Sequence, residues 1–84
     1  MSKASKTLER VVLGNADTNI RFRDLTNLLS ALGFEKRVRG DHHIFFQTGV
    51  AEIINLQPKG SMAKPYQVKQ VRELILKYRL GERL

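Results

Sequence analysis

The stretch Arg37-Val38-Arg39-Gly40-Asp41-His42-His43-Ile44-Phe45 decides the fold. Gly40-Asp41 reads as a two-residue hairpin turn, with glycine where a positive φ is needed. After it, His42 to Gln47 is rich in aromatic and β-branched residues and is expected to be a strand. Before it, Phe34 to Arg39 is a more polar and exposed strand, with Phe34 and Val38 expected to face inward. Thr48-Gly49 turns the chain again, and Val50 to Leu56 makes a third strand. A meander joined by tight turns is antiparallel.

Helical patterns flank the meander. Upstream, Phe22, Leu25, Leu28, Leu29 and Leu32 recur every three or four residues and form one apolar stripe. Asp24 lies in the first turn, where a negative charge suits the helix dipole. Gly33 is the expected stop, with Phe34 packing back on the last turn. Downstream, Gln57 to Lys64 reads as a flexible basic loop, and Pro65 suits the first position of a final helix. Val68, Val71, Leu74, Ile75 and Tyr78 are its expected buried stripe. Lys69, Arg72, Lys77 and Arg79 are left for solvent or ligand, and Gly81 is the expected end. Ahead of everything, Lys6 to Leu13 reads as a short leading helix closed by Gly14, followed by a polar loop over residues 15–19. Residues 1–18 are therefore read as an extension and 19–84 as the main domain. The class is α+β, with both main helices on one face of the three-stranded sheet and the other face open.

Composition narrows the function. The 84 residues suffice for one domain, and 42% hydrophobic with 27% charged residues is a globular balance. Cysteine is absent, which removes disulfides and thiolate metal sites. No apolar stretch approaches the ~20 residues that span a bilayer. Met1 to Lys6 lacks the apolar segment of a secretory signal, so no membrane association and a cytoplasmic location are expected. Fifteen Lys and Arg against eight Asp and Glu give +7. Such a charge on so short a chain points to a polyanion partner, RNA or DNA first.

Within the deciding stretch, His42 is the residue best suited to chemistry. Histidine takes up and releases protons near neutral pH. A glycine turn lets a phosphate backbone approach, and Arg37 and Arg39 are at hand to hold it. RNA brings its own nucleophile, the 2′-OH, so a base, an acid and charge stabilisation suffice. The competing reading of His42 is an exposed strand histidine without a role. Neighbours in a strand point to opposite faces, so His42 and His43 cannot easily share a metal, and His43 is read as structural. Phe45 and Phe46 are read as core and sheet packing, with one of them open to exposure. Lys59, Ser61 and Lys64 precede a helix N-terminus that offers free N–H groups to phosphate, or else form an ordinary solvated loop. Their spacing is not that of a P-loop.

Residues 20–80 resemble the HicA family of toxins from type II toxin–antitoxin modules. The resemblance rests on Phe22-Arg23-Asp24-Leu25 with Leu32-Gly33-Phe34, then on Arg39 to Phe45. It continues through Ile54-Asn55-Leu56 and the helix that begins at Lys64-Pro65 and contains Val71-Arg72 and Leu74-Ile75. It implies a double-stranded-RNA-binding-like α-β-β-β-α fold, mRNA cleavage, and neutralisation by a HicB-type antitoxin. It also implies that His42 is catalytic, that Gly40 is the family's turn glycine, and that no cofactor is needed. Two departures stand out. The family's usual serine is Asp41 here, a carboxylate that repels phosphate yet is able to hold the His42 ring. Many members carry a further histidine where this chain has Gln57.

Three functions follow as expectations. The first is a metal-independent endoribonuclease in which His42 exchanges the proton of the 2′-OH while Arg37, Arg39, Gly40, Asp41, Lys59, Ser61 and Lys64 line the RNA contact. The second is a non-catalytic RNA-binding module on the same surface. The third is a basic domain that engages an acidic protein. The oligomeric state stays open, a monomer when free being the simplest case.

Overall fold

The computed structural model describes residues 2–84, so Met1 of the expected extension lies outside it. Helix α1 spans Lys3–Leu13 and starts earlier than its apolar spacing suggests, because Ser2 caps it by accepting from the Ser5 N–H at 3.1 Å. It buries Val11 and Thr7, and Ala4 and Leu8 pack against the same core that the rest of the chain builds. The following loop contains a short 3-10 turn, Asp17–Asn19.

Helix α2 covers Phe22–Ala31 and buries Phe22, Leu25, Leu28 and Leu29. Each such apolar side chain contributes about 1.5–3 kcal/mol when removed from water. Its end follows from Gly33, whose φ of 97° is costly for other residues. There the Gly33 N–H donates to Ser30 O and the Phe34 N–H to Leu29 O, both at 3.1 Å, which is a Schellman closure. Gln47 and Arg83 both donate to Leu32 O, and Arg83 also bonds Gln47, so the helix end is fastened to the sheet and the C-terminus.

Strands β1 (Glu35–Arg39), β2 (His42–Gln47) and β3 (Val50–Leu56) form an antiparallel sheet in the order β1-β2-β3. The inner face carries Phe45, Ile54, Leu56 and Val50, all buried. Val38 departs from its expected inward burial and is 49% exposed. It pairs with His43 and so has inner-face parity, but β1 is an edge strand and all five of its residues are exposed. The covered part of the sheet is β2 and β3.

Helix α3 (Pro65–Lys77) buries Val68, Val71, Leu74 and Ile75 as the spacing indicates, and also the polar Gln67. Tyr78 is only half-buried. The helix ends at Lys77 and not at Gly81, and Arg79 just beyond it takes a left-handed φ of 54°. Gly81 lies in a short 3-10 turn, Leu80–Arg83, where an added Cβ would sit 3.5 Å from Leu8 of α1. Arg72 does not face solvent or ligand. Its guanidinium is largely enclosed, donating to both Asp17 oxygens at 2.8 and 3.1 Å and to Val11 O at 3.2 Å. The half-buried Asp17 carboxylate, on the short 3-10 turn after α1, takes the place of water as its partner. Residues 57–64, expected as a loop, are tied by backbone hydrogen bonds. Lys59 and Met62 exchange backbone hydrogen bonds around Gly60-Ser61, Ser61 O accepts from the Phe22 N–H, and Ile20 O accepts from the Ala63 N–H.

The architecture is thus α+β: helix, helix, three-stranded antiparallel sheet, helix. No helix is long and apolar enough to cross a membrane among the described residues.

Candidate active site

The hairpin between β1 and β2 positions the candidate residues. Arg39 and His42 are its closing pair, leaving Gly40-Asp41 as the two-residue turn. Gly40 has φ 60°, and an added Cβ there would meet nothing within 4 Å. The need for glycine is therefore conformational, and a ligand backbone has free space above it. From this turn the strand alternation sorts the side chains. Arg37, Arg39, His42, Ile44, Phe46, Ile53 and Asn55 share the outer face, which no helix covers.

His42 is half exposed on that face. Its Nδ1 lies 3.3 Å from Oδ1 of Asn55, a β3 residue one step along on the same face. With the Asn55 carbonyl oxygen as acceptor, the ring proton belongs on Nδ1 and Nε2 is the nitrogen left to accept. Asp41 Oδ1 stands 3.8 Å from Nε2. Gln57 Nε2 donates to Asp41 Oδ2 at 2.8 Å. This bond is the main reason the Asp41 carboxyl sits below its ordinary pKa, with the charges of His42 and Lys64 adding to the effect. The Asp41 carboxylate thus stands beside the His42 ring.

Beneath this group, Gln67 of α3 is 5% exposed and spans the end of β3. Its side chain accepts from the Gln57 N–H at 3.2 Å and donates to Asn55 O at 3.4 Å. It satisfies two edge-strand groups and fixes the backbone that carries both partners of the His42–Asp41 pair.

Gly40, Asp41, His42 and Arg39 thus come together, and Lys64 lies near enough for its charge to be felt at Asp41. Arg37 lies two residues further along β1, over the Phe46 ring at 5.9 Å. Lys59 pairs through its backbone with Met62, in the turn that carries Ser61. Among the described residues no polar contact joins them to His42, and Ser61 lines a hollow with Lys3, Arg21, Arg23 and Asp24. Asn55, Gln57 and Gln67 are the participants that sequence reasoning did not assign. Asn55 had a signal, as the one amide in an apolar strand with outer-face parity. Gln67 had none, because its partners are backbone groups.

His43 points to the helix side, where its ring meets Phe22 edge-on at 4.9 Å between centroids. Its Nδ1 is buried and finds no hydrogen-bond partner among the described residues. The two adjacent histidines are on opposite faces and do not converge on a common point. The chain matches no protein-family model, no curated protein and no solved structure.

Proposed function

We propose that this chain is a HicA-type toxin: a metal-independent endoribonuclease that cleaves mRNA in the cytoplasm and is neutralised by a HicB-type antitoxin. Its order α2-β1-β2-β3-α3 suits a double-stranded-RNA-binding-like scaffold to which α1 is added. The observation that carries the reading is the His42–Asn55 contact on the open face. It leaves one ring nitrogen free beside a glycine turn and Arg39 in a chain of charge +7.

In the reaction, His42 Nε2 removes the proton of a ribose 2′-OH. The 2′-oxygen attacks the adjacent phosphorus, and the 5′-oxygen of the next nucleotide leaves, giving a 2′,3′-cyclic phosphate. The 5′-oxygen takes a proton from the imidazolium by way of water, so the histidine returns to its starting form. Arg39 neutralises the charge that builds on the phosphoryl oxygens. Asp41 stabilises the imidazolium between the two transfers.

Asp41 also favours a second reading, a module that binds RNA without cutting it. Its ionised carboxylate at 3.8 Å from His42 Nε2 repels the phosphate that the base must approach. The two readings separate when the purified chain and His42→Ala are incubated with a structured mRNA in EDTA. Fragments from the parent alone support the nuclease. Intact RNA in both lanes with a salt-sensitive mobility shift supports the binding module.

A further inference from the structure

The outer face of the sheet continues beyond His42 into an apolar hollow. Ile44 and Phe46 follow His42 on β2, each two residues on, and both are half-buried. Ile53 of β3 stands beside them and is 64% exposed. Arg37 of β1, paired with Ile44, lays its guanidinium over the Phe46 ring. These four residues line a shallow hollow of about 300 Å³. Glu35 is the carboxylate on this face, opposite Phe46 at the end remote from the hairpin. At about 3.3–3.4 Å per strand residue, Phe46 lies about 13 Å from His42.

We infer that this hollow is the subsite for an unpaired RNA base within a nucleotide or two of the scissile phosphate. The inference rests on the RNA reading above and names the form of RNA the site takes. Three features carry it. An apolar floor with an aromatic ring and a planar guanidinium matches the π-face of a base, because both groups stack. Arg37 on the lining and Arg39 two residues along the same face of β1, toward His42, match the backbone that accompanies the base. The hollow shares its face with His42, so one strand of RNA reaches both. A duplex keeps its base faces stacked inside and cannot offer one to the hollow.

The chain has no tryptophan, so Phe46→Trp gives a single fluorescent reporter at the floor of the hollow. The probe is a 2′-O-methyl oligonucleotide of about six nucleotides, which lacks the attacking hydroxyl, offered single-stranded and as a duplex. Saturable quenching by the single strand and none by the duplex is expected. Phe46→Ala should weaken single-strand binding by roughly 5- to 150-fold, with an unchanged salt slope because no phosphate contact is lost. Phe46→Leu keeps the hollow apolar and tests the loss of stacking should the alanine variant fail to fold. Equal binding of both RNA forms without quenching overturns the subsite, as does a Phe46→Leu variant that binds like the parent. A parent that cleaves or binds RNA while Phe46→Leu changes nothing overturns the subsite alone. A parent that binds neither RNA form overturns the RNA reading with it. If Phe46→Leu converts a dimer to a monomer at constant RNA affinity, the hollow is a self-contact and the inference fails.

Discussion

Gln57 holds Asp41: its side-chain amide donates across from the end of β3 to the carboxylate in the β1–β2 turn at 2.8 Å. The bond is the largest cause of the lowered pKa of Asp41, which stands next to His42. Removing it should let Asp41 protonate at higher pH. The sign for stability follows: a depressed carboxyl contributes above its unfolded pKa and loses that contribution as pH falls through its folded value. In Gln57→Leu this acid-side contribution should shrink, leaving the part due to the backbone bond and the charges of His42 and Lys64. An NMR titration of the Asp41 side-chain carbon in both proteins checks it, and an unmoved midpoint would refute the assigned cause.

The Asp41 carboxylate also opposes phosphate. Asp41→Ser removes one negative charge at the site and should tighten RNA binding about threefold, the size of unit-charge repulsion at roughly 6 Å in water. The gain should shrink as salt rises, because the group is exposed and screened. Filter binding at two salt concentrations is sufficient. Equal affinity for parent and variant would mean that phosphate does not approach the turn.

Glu52 offers a pH prediction remote from the site. Lys77 and Tyr78 hydrogen-bond its carboxylate, at 2.7 and 2.6 Å, and pull its pKa from 4.5 to about 2. Its contribution is fully present above 4.5 and is lost as pH falls from there toward 2. Glu52→Gln should therefore lower stability near neutrality and flatten the fall in melting temperature over that acid window. A parallel acid limb in parent and variant would show that the ion pair does not couple to folding.

The strands, their turns and the stripes of α2 and α3 were legible because each obeys a local rule. Period-two and period-three-or-four apolar spacing, Gly33 and Gly40 at positive φ, and Pro65 at a helix start are all short-range signals. What escaped depends on contacts distant in sequence. Arg72 is drawn inward by Asp17, 55 residues earlier, and nothing in its own helix marks it as structural. Val38 has the alternation of a core residue, yet sits at a sheet edge that the helices do not reach. The site was half visible. His42, Arg39, Gly40 and Asp41 are contiguous in sequence, whereas Asn55, Gln57 and Gln67 enter only through strand pairing and helix packing.

Arg72 yields a stability prediction of its own. Its guanidinium makes three charge-assisted hydrogen bonds that join α3 to α1 and to the Asp17 turn. Arg72→Met keeps the aliphatic stem and loses these bonds, at a cost of about 1.5–3 kcal/mol. Denaturant unfolding should register the loss, while RNA affinity and its salt slope stay as in the parent. A shallower slope in the variant would return Arg72 to the phosphate contacts.

The two neighbouring histidines should respond in opposite ways to substitution. His42 is half exposed with one long hydrogen bond, so His42→Ala should shift stability by less than about 0.5 kcal/mol while abolishing RNA cleavage. His43 is on the covered face with an unpartnered Nδ1. His43→Leu removes that buried polar atom at similar volume and should leave cleavage intact while raising stability by about 1 kcal/mol. In a domain of this size that corresponds to a melting temperature about 4–8 °C higher. Thermal melts and gel assays on the same two preparations read both properties. If His43→Leu loses cleavage and His42→Ala keeps it, the catalytic assignment belongs on the other face of β2. If both lose cleavage with their folds intact, the reaction draws on a group that spans the sheet, and a base acting from the open face alone is wrong.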